Sequence, residues 1–483
     1  MKSLLLISIL INTLLLASCG GGGGGGSTPE EESTSSSGQV LFNQAVSDHQ
    51  VFMARNGNGV AIWSAENDNG NDSIWSSSYD AVTDSWSTAA EIANYDRDIL
   101  SFEAAANDNG EIHVVWTQFD ASLTFGVFAD GIFDDQIWGA RYLPGTGWAE
   151  SALIQDPLPA SARTIILGTP TVAINNNGLA FLAWKQDNLD DLADPTRLYT
   201  LRFENTGIWE TLRFIGQVNE DLFNTIGLSV NDTGHAILVW ADSTATKKIL
   251  FARHYTQTRG WDLLEFGPEF VEEDDISDVN NFYTIETQKL PNDDVLVFWS
   301  YLTKSTATRV SKGRQYTASD TSWALPYSFS PDLSAIASSS LGISKNGDAF
   351  FLYGDIVPSL GGRVLLANQF TFSSGWSVDR TMTEDDEVIA LNLSAIDLDD
   401  SGNAMALWVS NHSAGNGNSL KSRRYHPINE WDSSVQEVDD FVDANTFTVD
   451  IIPDGNGNAM TLYIRSESSG ESELTAKKVI VQN

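Results

Sequence analysis

One short frame recurs through the chain: a glycine, an alternating apolar run, and an aromatic ring six positions after the glycine. It runs from Gly57 to Trp63, Gly110 to Trp116, Gly178 to Trp184, Gly234 to Trp240, Gly347 to Tyr353, Gly402 to Trp408 and Gly457 to Tyr463. An eighth copy has Asp293 in place of the glycine and ends at Trp299. Successive aromatics lie 53, 68, 56, 59, 54, 55 and 55 residues apart. A period near 50 residues is the mark of a propeller or a solenoid, in which each small unit buries its apolar face only against its neighbours. Such an array also escapes the size limit of a single core, which 483 residues exceed.

Each unit reads as four short strands. In the second, Phe102 to Ala106 is a first strand, and Asn107-Asp108-Asn109-Gly110 is a tight turn of residues that tolerate left-handed backbone. Ile112 to Trp116 is a second strand and Gln136 to Tyr142 a third. Pro144-Gly145-Thr146-Gly147 then turns the chain into a fourth, opened by Trp148 and running to Ile154. No stretch of the array has helical periodicity, which favours propeller blades over a helical solenoid. All 15 tryptophans fall at repeat positions: ending second strands, opening fourth strands, or starting the third strand at Trp75 and Trp138. They read as packing residues, and so do the arginines that recur on third strands.

The last unit begins near Val449 and carries three strands, the third from Leu474 to Val481. At the other end, Gln39 to Val46 has the spacing of an orphan fourth strand. The two complement each other, and closing a ring this way removes free edges. The expected fold is all-β: an eight-bladed β-propeller of four-stranded antiparallel blades spanning residues 39–483. Its ring is closed by an N-terminal strand, and seven blades is the alternative.

Ahead of the array, Lys2 and the apolar run Leu4 to Leu16 read as an export signal too short to span a bilayer. Leu16-Ala17-Ser18-Cys19 resembles the lipobox of bacterial lipoproteins, which are cut before a cysteine that becomes diacylated. The resemblance implies a signal peptide over residues 1–18 and lipidation of Cys19. With Gly20 rather than an aspartate after the cysteine, it implies the outer membrane of a Gram-negative bacterium, facing the periplasm or the cell surface. Residues 19–38 read as lipid anchor and Gly/Ser-rich tether, a flexible coil reaching about 25 Å. Cys19 is the single cysteine, so no disulfide framework is expected. A formal charge of −38 excludes nucleic acid as a partner. The expected partners are the membrane, through the lipid, and a protein or glycan ligand; the body is expected to be monomeric.

In a four-stranded meander, the turns joining strands one to two and three to four share one face. Here both sets are short, and the variation in length falls on the other face. That loop face carries the insertion Gln118 to Asp135 with Phe119, Phe125, Phe128 and Phe133, and then Asp187, Asp190 and Asp191. It also carries acidic connections between units, among them Asp274 and Asp275. Loops on a rigid scaffold are where binding concentrates, and exposed phenylalanines either cover the scaffold or meet a partner. These nine residues are the candidate ligand-binding set. The six histidines have no ligand spacing, which argues against zinc. There is no nucleophile elbow and no phosphate loop. Asn416-Gly417-Asn418 and Asp454-Gly455-Asn456 are oxygen-rich but lack the EF-hand frame. No cofactor is expected, with calcium as the alternative.

The repeat Asn/Asp-x-x-Gly-x-Ala-x-x-x-Trp, followed by an Arg-Tyr strand and a Gly-Trp turn, resembles the sialidase-like (BNR-type) propeller repeats of bacterial exported proteins. The likeness covers Gln39 to Asn483. It implies the fold and departs from the enzymes: the sialidase box places tryptophan three residues after glycine, and here the aromatic comes six after. No catalytic residue is carried over. The expected function is that of an outer-membrane-anchored lipoprotein, a binding or scaffold propeller for a protein or glycan ligand through its acidic loop face. The alternative is a sialidase-like carbohydrate-active enzyme.

Overall fold

In the computed structural model the chain divides into two units, residues 1–34 and 35–483. The described residues are 38–480 apart from 94–97, 120–135, 156–163, 189–194, 205–206, 211, 219–225, 244–246, 262–268, 276–278, 304–308, 326, 334–338, 358–361, 372–374, 384–387, 412–417, 442–443, 456 and 468–471. All of them belong to the second unit, and their regular structure is entirely β.

Eight antiparallel sheets follow one another along the chain. Their first strands are Val46–Met53, Asp98–Ala106, Thr164–Ile174, Ile226–Val230, Val279–Lys289, Ser339–Ile343, Val388–Leu398 and Ala444–Pro453. In the eighth sheet the outermost strand is Gln39–Phe42, hydrogen-bonded to Ser472–Val479. The eight-bladed ring closed by an N-terminal strand is therefore the fold, and the seven-bladed alternative is set aside.

The turn chemistry works as the sequence implies. Gly57, Gly110, Gly178, Gly234, Gly347, Gly402 and Gly457 all have φ between 77° and 91°, and Asp293 takes the same conformation at 70°. Second strands are covered on both sides, as in Gly59–Glu66, where every residue but the last is buried. Packing then repeats around the ring. Eight apolar clusters form, one at each interface between neighbouring blades, including the one joining Leu462 and Leu474 to Val51 and Trp63 across the closure. Trp63, Trp116, Trp184, Trp299 and Trp408 are 0–2% exposed at these interfaces. Truncating one such ring costs about 3–5 kcal/mol. Each fourth-strand tryptophan lies against the aromatic ending its third strand, from Tyr79–Trp86 at 5.3 Å to Tyr425–Trp431 at 5.4 Å.

The fourth strand departs from expectation. It is not one run but two: Gly147–Trp148 pairs with Leu143 and Tyr142, and Ala152–Gln155 then pairs with the start of the same third strand. Several carboxylates read as loop residues also lie in strands. Asp274 and Asp275 end the outer strand Glu269–Asp275, opposite Lys248 and Lys247, and Asp187 sits within Ala180–Asn188. An outer strand has its free edge in water, so acidic residues are tolerated there as readily as in a loop.

Candidate functional site

First strands are innermost, and consecutive ones contact each other from blade two to blade five, from blade six to blade eight, and from blade eight to blade one. Their inner edges have N–H groups that no ladder satisfies. One register position meets this need. The residue seven before each turn glycine is Gln50, Glu103, Thr171, Gly227, Glu286, Ser340, Ala395 or Asp450, and each pairs with the residue five after that glycine. Gln50 Oε1 accepts from the Ala104 N–H of the next blade at 3.0 Å. Asp450 Oδ2 accepts from Val51 N–H at 3.0 Å and Ser340 Oγ from Ile396 N–H at 3.1 Å. Side chains from this belt thus stitch the wall of the axial channel between blades one and two, six and seven, and eight and one.

Three of the eight belt residues are carboxylic acids, and Asp397, two positions further along its strand, adds a fourth. None of the four ion-pairs with a cation among the described residues. Enclosure by protein governs all of them. Glu103 is pushed up to about 8, chiefly by burial, against a hydrogen bond from Gln50 and with help from the charges of Glu286 and Asp48. Glu286 keeps contact with water inside the channel, yet the surrounding protein raises its carboxyl to about 7. Burial raises Asp397 to about 7 against its own Leu398 N–H, and Asp450 and Asp399 add to the rise. Burial raises Asp450 to about 6, opposed by the N–H groups of Val51 and Ile451. Glu103 belongs to the second blade and Glu286 to the fifth, so their mutual repulsion acts across the ring. The wall therefore presents carboxyls that accept a hydrogen bond when ionised and donate one when protonated.

At the turn face the channel mouth is crossed by charged side chains. Arg55 Nη2 lies 2.9 Å from Asp108 Oδ2 and 2.9 Å from Asp400 Oδ2, joining blades one, two and seven. Lys345 of blade six reaches Asp108 as well. Beneath them the asparagines that open three turns form a chain. Asn107 Nδ2 donates to Asn175 O at 3.0 Å, Asn175 to Asn231 O at 2.8 Å, and Asn231 to Leu290 O at 2.9 Å. A cavity of about 340 Å³ lies here, bordered by the strand ends of blades two to five and by Lys345.

Among the sequence-predicted residues, Phe125, Phe128, Phe133, Asp190 and Asp191 lie outside the described residues, as does Cys19. Phe119 ends the second strand of blade two, opposite Asp98. Asp187 pairs with Ile165 in blade three. Asp274 and Asp275 belong to blade four, so the described members of the set are spread over three blades. The turn around Asp454 uses its carboxylate internally, accepting from Asn458. No group of three or more metal-ligating side chains occurs among the described residues. The third-strand arginines are held in the blades: Arg141 on Glu111 at 2.6 Å, Arg202 on Glu204 and Glu210, Arg314 on Ala324 O and Arg423 on Asp432 O. The belt carboxyls were the residues that motif reading passed over, and their common signal is the offset of seven from the turn glycine.

No family model and no curated protein matches this sequence. Among solved structures the chain is similar to an ulvan lyase of a polysaccharide lyase family, with TM-score 0.47 and 10% identity over 90% of this chain and 94% of that one. It is similar to the BP39L lectin of Burkholderia pseudomallei, with TM-score 0.47 and 11% identity over 83% of this chain and 100% of the lectin. It is also similar to the intramolecular trans-sialidase of Ruminococcus gnavus, with TM-score 0.38 and 9% identity over 92% and 99% of the two chains. At these values the likenesses carry no activity over to this chain.

Proposed function

We propose that the protein is a lipoprotein held at the outer membrane through Cys19, and that its propeller binds glycans. The observation that carries the binding reading is the channel belt. Inner strands bring Glu103, Glu286 and Asp450 to equivalent positions beside an amide, Gln50, and two hydroxyls, Thr171 and Ser340. The acids lack counter-cations among the described residues. Sugar hydroxyls both donate and accept, which matches a wall of carboxyls, amide and hydroxyls. The third-strand arginines Arg141, Arg202, Arg314 and Arg423 are engaged in blade contacts, and no observation among the described residues favours a sialidase-like reaction over binding.

The test is a glycan array probed with the intact propeller and with an E103Q/E286Q double variant. Retention of a glycan class by the native protein, reduced at least fivefold in the variant, is expected. Retention of no glycan, with a protein captured from the envelope instead, would replace this reading with a scaffold role. The anchor is tested separately: C19S is expected to move the protein from the membrane fraction to the soluble one.

A further inference from the structure

The cavity at the turn-face mouth differs from the belt above it. The oxygens of Ser229 and Thr287, two residues that line it, are buried and have no hydrogen-bond partner. Ser229 itself is 9% exposed. Lys289, also lining it, is 5% exposed. Its Nζ donates to Asp293 O at 2.6 Å, and no carboxylate lies within ion-pair distance of it among the described residues. An ammonium has three donors, so two remain. Asp232 and Gln288 add acceptors, and Lys345 adds a second ammonium at the rim.

We infer that this cavity is a site for one neutral sugar unit, entered from the turn face, opposite the loops. The inference rests on the glycan reading above and gives it a location and a ligand class. Three properties of the lining lead to it. Donors, acceptors and dual-role hydroxyls are mixed, as a polyol requires. The charges are of both signs, with two lysines beside Asp232 and with Asp108 held by Lys345, so neither an anion nor a cation is selected. The volume, about 340 Å³, is at the small end of ligand pockets, which suits one ring rather than an oligomer. The asparagine chain fixes the rim, so the site is formed before the guest arrives.

The experiment is saturation-transfer NMR on the intact protein. The probes are a panel of neutral monosaccharides, a uronic acid and a linear diamine. The variants are T287V, which keeps shape and removes a hydroxyl, and K345M, which alters an accessible rim residue and leaves the core untouched. At least one neutral sugar is expected to receive saturation, with its Kd weakened tenfold or more in the T287V/K345M double variant. Deletion of residues 120–135 is expected to leave that binding unchanged. Undiminished sugar binding in K345M and in T287V/K345M would overturn the site while leaving the glycan reading intact. Preference for the uronic acid or the diamine would overturn the neutral class. Failure of every sugar, here and on the array, would remove both readings.

Discussion

Glu103 shows what the ring does to a single residue. Its carboxyl is raised to about 8, against roughly 4.3 in an unfolded chain. Between those values the folded protein holds a proton that the unfolded chain has lost. Its contribution to stability is therefore full below the unfolded value and is lost as pH rises through the folded one. Thermal unfolding of E103Q, followed from pH 5 to pH 8.5, is expected to show a flatter profile than the native protein. At pH 8.5 its Tm should be higher, on the order of 1 °C or more. Repulsion from the overall charge of −38 acts on both proteins nearly alike, so the difference isolates the residue. A lower Tm for E103Q at pH 8.5 would show that the ionised carboxylate is stabilising. The sequence concealed this residue for a simple reason. There are 65 acidic residues, and an acid in a short alternating strand reads as one more polar edge until its seven-residue offset is aligned across all eight copies.

At the scale of the element, strands and turns were legible because their signals are local. Asn, Asp and Gly mark the turn, alternation marks the first strand, and a continuous apolar run marks the second. The broken fourth strand was not legible. Trp148 pairs beside Tyr142, the chain then leaves the ladder, and it returns at Ala152 opposite Gly139. At the equivalent pause in blades one, five and seven, third-strand side chains of the same blade take over from the ladder. Ser77 Oγ donates to Ser87 O, Arg314 Nε to Ala324 O and Arg423 Nε to Asp432 O, a contact between strands that no local pattern spells out. The phenylalanine-bearing insertion begins inside a strand, which runs to Phe119, and residues 120–135 lie outside the described ones. Contact between elements also explains Gly227, the one belt position left bare for steric reasons. A Cβ there would lie 2.6 Å from Thr287 Cγ2 and 2.9 Å from Ile285 Cγ2 of the next blade. G227A is expected to cost about 1–3 kcal/mol in denaturant unfolding. Adding T287S, which removes the clashing methyl, should recover part of the loss. A G227A midpoint equal to that of the native protein would mean that blades four and five are less tightly apposed than described.

For the whole molecule, the repeat dictated blade number, and the mismatch between its two ends dictated closure. What the repeat could not supply is the asymmetry of the axis. Arg55, Asp108, Lys345 and Asp400 come from four different blades, and no blade hints at the clasp alone. Closure makes a prediction at this scale. Gln39–Phe42 is short, but Leu41 is 8% exposed within the cluster at the first interface, and the Gln39 side chain brackets Trp86 of blade one. Removing residues 39–42 should destabilise the eighth blade first. Hydrogen exchange at Ser472–Val479 is expected to accelerate before that of the other third strands, with Tm lowered by several degrees. Uniform exchange in all eight blades would show that the ring closes without this strand.

The same closure sets a timetable for the newborn chain. Gln39 is paired with Ala476, so the first strand to be made waits for one of the last. Where export keeps pace with synthesis, at about 5–20 residues per second, the wait is roughly 20–90 s. During that interval the earlier blades are free to form one after another, while blade one has no neighbour on its leading side. Leu41 and Phe42, with Trp63 and Trp75 behind them, stay uncovered until the final blade arrives. A growing propeller of this design is therefore an open arc with one adhesive end. The time for which that end is exposed is fixed by the length of the chain rather than by the strength of any contact in it.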